Sequence, residues 1–123
     1  MYSALVVDDN EHNRRIFRIA LEHAGYAVVE AEDGLGGLQA FHTGKYQLLI
    51  VDLAMPTLDG VALLTQLCQS PAWNKPVVIV VTANPHMATS AVEQVADYIL
   101  QKPIDVRDFA QLSERVQKQF QPG

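Results

Sequence analysis

Apolar runs in this chain end on residues that could do chemistry. Ala4-Leu5-Val6-Val7 runs into Asp8-Asp9, and Leu48-Leu49-Ile50-Val51 runs into Asp52. The run at 77–81 ends on Thr82, and Tyr98-Ile99-Leu100-Gln101 leads to Lys102-Pro103. Three crowded carboxylates repel unless some take up protons or a cation joins them. Every candidate ligand is a hard oxygen, with no His or Cys placed beside them. That set calls for Mg2+, or Mn2+, rather than Zn2+. A carboxylate is also a nucleophile towards phosphoryl groups, and phosphoryl transfer needs chiefly charge neutralisation and positioning. A cation, the Lys102 ammonium and the Thr82 hydroxyl would supply both. On this reading Asp52 accepts the phosphoryl group, and Asp8 with Asp9 holds the metal that lets it react.

Such a set works only if the fold brings it together. Strands are expected over 3–8, 27–31, 46–52, 76–82 and 98–102, short and apolar throughout. That pattern marks strands covered on both faces, hence a parallel sheet. Helices are expected between them. Over 11–24 the apolar stripe is Ile16, Phe17, Ala20, Leu21 and Ala24, with Gly25 at the C-terminal cap. Over 35–42 it is Leu38 and Phe41, weakened at the start by Gly36 and Gly37. Over 60–69 it is Val61, Leu63, Leu64 and Leu67, closed by Ser70-Pro71. A short helix covers 88–95. Over 106–120 the stripe is Phe109, Leu112, Val116 and Phe120, with Asp105 as N-cap. Five strand-then-helix units give an α/β doubly wound sandwich; an eight-unit barrel needs about twice the chain.

In such a sheet the chemistry sits beyond the carboxyl ends of the strands. With strand order 2-1-3-4-5, Asp52 lies one strand, about 4.8 Å, from Asp8-Asp9 and one from Thr82. Lys102 lies two strands, about 9.6 Å, from Asp52, and its long stem must come back over Thr82.

Composition sets the class. The 123 residues are expected to form one domain, 1–123, with a full core. The longest apolar run, 77–81, is strand-sized rather than membrane-spanning. The start Met1-Tyr2-Ser3 has no basic region followed by an apolar core, so no signal peptide is visible. The single Cys68 excludes an internal disulfide and fits a reducing compartment, so the cytoplasm is the expected location. Net charge is −5 with no basic block. Direct nucleic-acid or membrane binding is therefore not expected to be its main business.

The stretches "VVDDNEHNRR", "VDLAMPTLDG", "VVTA" and "LQKP", in this order on these strand ends, resemble the receiver domain of a two-component response regulator. "DDNEHNR" is most similar to the receivers of hybrid histidine kinases and stand-alone regulators. The resemblance covers the chain from end to end and implies a flavodoxin-like (βα)5 sandwich. It implies that Asp52 takes a phosphoryl group from a phosphohistidine of a sensor histidine kinase or histidine phosphotransfer protein. Asp9, Asp52 and the Ala54 backbone carbonyl would ligate Mg2+ directly, with Asp8 acting mostly through water. Thr82 and Lys102 would bind the phosphoryl oxygens, and Ala54 and Asn84 would tune the lifetime of the acyl phosphate. An unidentified downstream protein would read the phosphorylation state, with the chain a monomer or weak dimer.

Taken singly, each residue has an ordinary reading. Asp8 or Asp9 could cap the next helix, as could Asn10. Asp59-Gly60 is turn and cap, Thr82 a common strand end, and Lys102 a solvated lysine. His12, His23, His42 and His86 share no metal spacing. Cys68 reads as helix packing, and Met55-Pro56 as a turn that Pro56 stiffens. Jointly these readings require five coincidences on neighbouring strand ends.

Departures from the family pattern concern the output side. An aromatic residue usually stands three places before the lysine as a rotamer switch. Here that place holds Ile99, with Tyr98 one position earlier and so on the other sheet face. Val95-Ala96-Asp97 replaces the common Gly-Ala-Asp, and the stretch from Thr82 to Lys102 is shorter than usual, so the fourth helix is expected to be short or irregular. Two other functions compete. A small aspartyl-phosphate phosphatase would carry an acid two residues after its nucleophile, where this chain has Ala54. A receiver-like interaction module independent of phosphorylation would not need the acid pair, Asp52, Thr82 and Lys102 together. The expected activity is thus acceptance and loss of its own phosphoryl group, without turnover of a separate substrate.

Overall fold

A computed structural model describes residues 2–55 and 58–120. Five strands, β1 (Tyr2–Val7), β2 (Tyr26–Ala31), β3 (Leu48–Asp52), β4 (Val77–Thr82) and β5 (Tyr98–Gln101), form one sheet in the order β2-β1-β3-β4-β5. All four pairings are parallel. Five helices connect and follow them: α1 (Glu11–His23), α2 (Gly34–His42), α3 (Gly60–Gln69), α4 (Ser90–Val95) and α5 (Val106–Gln119). The expected flavodoxin-like sandwich is the one observed.

The three inner strands are buried on both faces, and the two faces feed separate cores. Leu5, Val7, Leu49, Val51, Val78 and Val80 face α2, α3 and α4, where Phe41, Leu63, Leu64, Leu67 and Val92 meet them. Ala4, Val6, Leu48, Ile50, Ile79 and Val81 face α1 and α5, where Phe17, Leu21, Phe109 and Val116 pack. The Phe17 and Phe109 rings, tilted with centroids 4.9 Å apart, fasten α1 to α5, a contact worth about 0.5–1.5 kcal/mol beyond its area.

Three expectations need correction. β2 largely alternates buried and exposed positions, and β5 half-buried and exposed ones, rather than being apolar-covered throughout, because they are the sheet edges and each has one neighbour. The third strand starts at Leu48, not Tyr46; Tyr46 instead packs on Phe41 and donates to the Ala40 carbonyl. The fourth helix begins at Ser90 rather than Ala88, after a 3-10 turn over Pro85–Met87, and has six residues.

Caps follow the sequence closely. Asn10 rather than Asp8 or Asp9 caps α1, accepting from the Asn13 N–H. Asp59 caps α3 through the Ala62 N–H, and Asp105 caps α5. Gly25 sits at φ +96°, where only glycine is at ease after α1. Pro56 lies outside the described residues.

Charge divides the two helical layers. α1 and α5 carry five formally charged side chains each, α2 and α3 none, and α4 only Glu93. Among the described residues no helix is long and apolar enough to cross a membrane.

Candidate functional site

The ends of β1 and β3 carry the acids. Asp8 follows β1 directly, 1% exposed, and its N–H continues the sheet by donating to the Ala31 carbonyl. Asp52 is the last residue of β3 and 3% exposed. Asp9 is exposed at the rim. One carboxylate oxygen from each of Asp8, Asp9 and Asp52 can be chosen so that all lie within 4.8 Å of one another. Two carboxylates at that distance repel by about 3 kcal/mol at an effective dielectric constant of roughly 20.

Lys102, joined to Pro103 by a cis peptide, follows β5. Its Nζ donates to Asp52 Oδ2 at 3.1 Å and lies 3.3 Å from Asp8 Oδ2. The stem therefore crosses β4 as the spacing requires, and goes further than expected, reaching the β1 acid as well. Burial draws the Lys102 pKa down; the bond to Asp52 and the charges of Asp8 and Asp52 more than offset this, so the net shift is upward. Asp8 is shifted up as well. Burial is the main cause, the Asn10 N–H on Oδ1 opposes it, the Asp52 charge adds to it, and Lys102 opposes it.

The residues fit a divalent cation. When all three acids are ionised, their charge less that of Lys102 leaves a deficit that one divalent ion removes. Asp8 Oδ2 is buried and accepts no hydrogen bond within the described residues; Lys102 is close but not aligned to donate. Buried polar atoms normally have partners, and a cation or a water bound to it supplies one. All the donors are carboxylate oxygens, as Mg2+ prefers.

Ala54 stands beside Asp52, exposed, and its N–H donates to Asp52 Oδ1 at 3.1 Å. Gly60, at the start of α3, closes the loop by donating to the Leu53 carbonyl at 3.0 Å. A Cβ on Gly60 would press into the Asp52 carbonyl oxygen, so glycine is required where α3 meets the strand end.

Thr82 ends β4 next to the acids, but its hydroxyl is engaged with the following loop. Oγ1 donates to the Asn84 carbonyl and accepts from the Asn84 N–H, both at 2.9 Å. Asn84 Oδ1 in turn accepts from the His86 N–H. Tyr98 and Ile99 lie away from this cluster. Tyr98 packs with the α1–α5 core, its hydroxyl 3.4 Å from Gln119 Nε2. Ile99 is 39% exposed on the opposite face.

Two groups near the site were not singled out from the sequence. Arg14 reaches back from α1 to the Asp8 carbonyl, Nη1 donating at 2.7 Å. An arginine in the polar face of a helix looks like a solvated charge; its place one turn after Asn10 and one turn before Arg18 was the available signal. His12 and Asn13 line a cavity of about 510 Å3 with Ile16, Phe17, Ala83 and Lys102. Helix α1 brings them there, which no metal spacing among the histidines would reveal.

The profile described as response regulator receiver domain matches residues 4–115. The DNA-binding transcriptional regulator NtrC of Escherichia coli (strain K12) is 32% identical over 116 residues, 94% of this chain and 25% of that protein. The KDP operon transcriptional regulatory protein KdpE of the same organism is 36% identical over 108 residues, 86% of this chain and 47% of that protein. The chain thus spans between a quarter and about half the length of these curated relatives. A CheY-like receiver domain from Methylobacillus flagellatus superposes with a TM-score of 0.84 at 25% identity, covering 94% of this chain and 98% of that one. The response regulator TrrA from Thermotoga maritima, solved in complex with Mg(2+)-BeF, gives 0.80 at 30% identity, covering 96% and 98%.

Proposed function

The chain belongs to the response regulator receiver domain family, and from that premise we propose that residues 1–123 act as one phospho-accepting unit with Asp52 as the acceptor. The observation that carries the proposal is the Lys102 Nζ held 3.1 Å from Asp52 Oδ2, with Asp8 and Asp9 each able to place a carboxylate oxygen within 4.8 Å of one on Asp52. An Asp52 oxygen attacks the phosphorus of a phosphohistidine. The new O–P bond forms as the N–P bond breaks, and the released imidazole leaves with the electron pair. A divalent cation bound by Asp9, Asp52 and the Ala54 carbonyl, with Asp8 mostly through water, would neutralise charge on the transferring group. Lys102 follows the phosphoryl oxygens, and Thr82 binds one after its hydroxyl leaves Asn84. Donor and reader are proteins: a sensor histidine kinase or histidine phosphotransfer protein, and a downstream target that senses the loop after β4.

The test is intact-mass analysis after incubation with acetyl phosphate and Mg2+. The wild type is expected to gain one base-labile phosphoryl group, and Asp52→Asn to gain none while melting normally. A wild-type level of label on Asp52→Asn, or no label on the wild type, overturns the assignment.

A further inference from the structure

We propose that Arg14 is a positioning residue for the cation site: its guanidinium fixes the Asp8–Asp9 peptide so that Asp9 is presented to the metal. This rests on the reading of Asp8, Asp9 and Asp52 as divalent-cation ligands. The Arg14 side chain is only 12% exposed. Nη1 donates to the Asp8 carbonyl at 2.7 Å, and Nε lies 3.3 Å from Glu30 Oε1 on β2. A peptide unit is planar, so holding the Asp8 oxygen sets the plane from which the Asp9 Cα departs. The rest of Asp8 is held already, its N–H by Ala31 and its Oδ1 by the Asn10 N–H. Asp9 is the exposed acid of the set and has the most freedom to lose.

Charge explains why an arginine is tolerated beside a cation site. Glu30 pairs with both Arg14 and Arg18, and Arg18 also lies 3.4 Å from Glu22. The two cations and two anions balance, so Arg14 delivers a donor to Asp8 without a net positive charge that would repel the metal. Its two donors work in different directions from one rigid plane, which lysine cannot reproduce.

A fastening of α1 to β2 would make the same contacts, so the test has to separate the two roles. Mn2+ binding to the full chain is followed by electron paramagnetic resonance, and acetyl phosphate labelling is measured against Mg2+ concentration. Arg14→Met and Arg14→Lys are expected to bind Mn2+ about tenfold more weakly, as removal of a group that orients a ligand does. Both should need about tenfold more Mg2+ for half-maximal labelling, with the rate at saturation kept within roughly twofold. Arg18→Met loosens Glu30 but leaves the Asp8 bond, and should bind as the wild type does. Wild-type affinity in either Arg14 variant, or Arg18→Met as weak as Arg14→Met, overturns the proposal. If Arg14→Met does not fold, Arg14→Lys carries the comparison. A wild type that takes up no Mn2+ removes the cation reading itself and this proposal with it.

Discussion

At Asp8 the fold holds a carboxylate out of water with one oxygen bonded to the Asn10 N–H and the other short of a donor. Its folded pKa is raised above the ordinary 3.8, chiefly by burial. A raised carboxyl pKa means that the ionised form is disfavoured in the fold, so stability is lost as pH climbs from 3.8 through the folded value. Asp8→Asn removes that loss. Without metal it should raise stability at pH 7, and the advantage should vanish below pH 3.8; thermal melts at several pH values check this. An equal gain at every pH would assign the effect to packing. Ala54 bears on the fate of the proposed acyl phosphate. Its N–H is committed to Asp52 Oδ1, and its methyl group has nothing to hold an attacking water. Ala54→Asn could orient that water and should shorten the phosphoryl lifetime, whereas Ala54→Val should change it less. Similar decay of the two variants places control elsewhere.

Among the elements, the loop after β4 is where the proposed phosphorylation would have most to change. The Thr82 hydroxyl makes two bonds to the Asn84 backbone, and Asn84 leads into the 3-10 turn before α4. If Thr82 binds a phosphoryl oxygen as proposed, that hydroxyl would leave Asn84, and the loop would lose two of the bonds that close it. β5 offers little response. Ile99 is β-branched, stiff at its first torsion and without a hydroxyl, and Tyr98 is engaged on the opposite face. A switch cannot shift further than the free-energy difference between its states allows. Amide chemical shifts with and without beryllofluoride should therefore change most over 80–88 and the metal loops. Equally large changes over 97–108 would show that the β5 face switches after all. Sequence patterning located this loop but not its state, since the direction of a threonine hydroxyl is a rotamer choice made by the local backbone.

For the whole molecule, the site exists only when β1, β3 and β5 are assembled, because Asp8, Asp52 and Lys102 come from distant parts of the chain. Mg2+ bound only to the folded state would stabilise it, by about 2.7 kcal/mol at a hundred times Kd. The melting temperature should rise with the logarithm of Mg2+ concentration in the wild type and stay flat in Asp9→Asn; a parallel rise in both would mean that the ion binds elsewhere. The central strands and the acids at their ends were readable because burial on both faces leaves an uninterrupted apolar run that a charge must terminate. The order 2-1-3-4-5 places β2 and β5 at the edges, but their apolar runs read as covered on both faces, and it is this burial that the structure reduces. Ser113 was not readable, buried within α5, where its hydroxyl donates to the Phe109 carbonyl and its own carbonyl accepts from Tyr26. A polar residue satisfied by its own helix leaves no mark in the hydrophobic pattern. The uneven charge of the two helical layers has a use for anyone tracing what binds this protein. Charges separated by more than about 8 Å are screened at physiological ionic strength, and complementary charges at a contact mainly govern how fast partners meet. A protein docking across α1 and α5 meets six bases and four acids on the helices, and its association rate should respond to added salt. One docking across α2 and α3 meets no charged side chain within the helices, only the capping acids at their ends, and its association rate should respond less to added salt. A salt series on the association rate, compared between charge-removing variants of α1 and α5 and the wild type, thus helps to tell which face a binding protein uses before any complex has been seen.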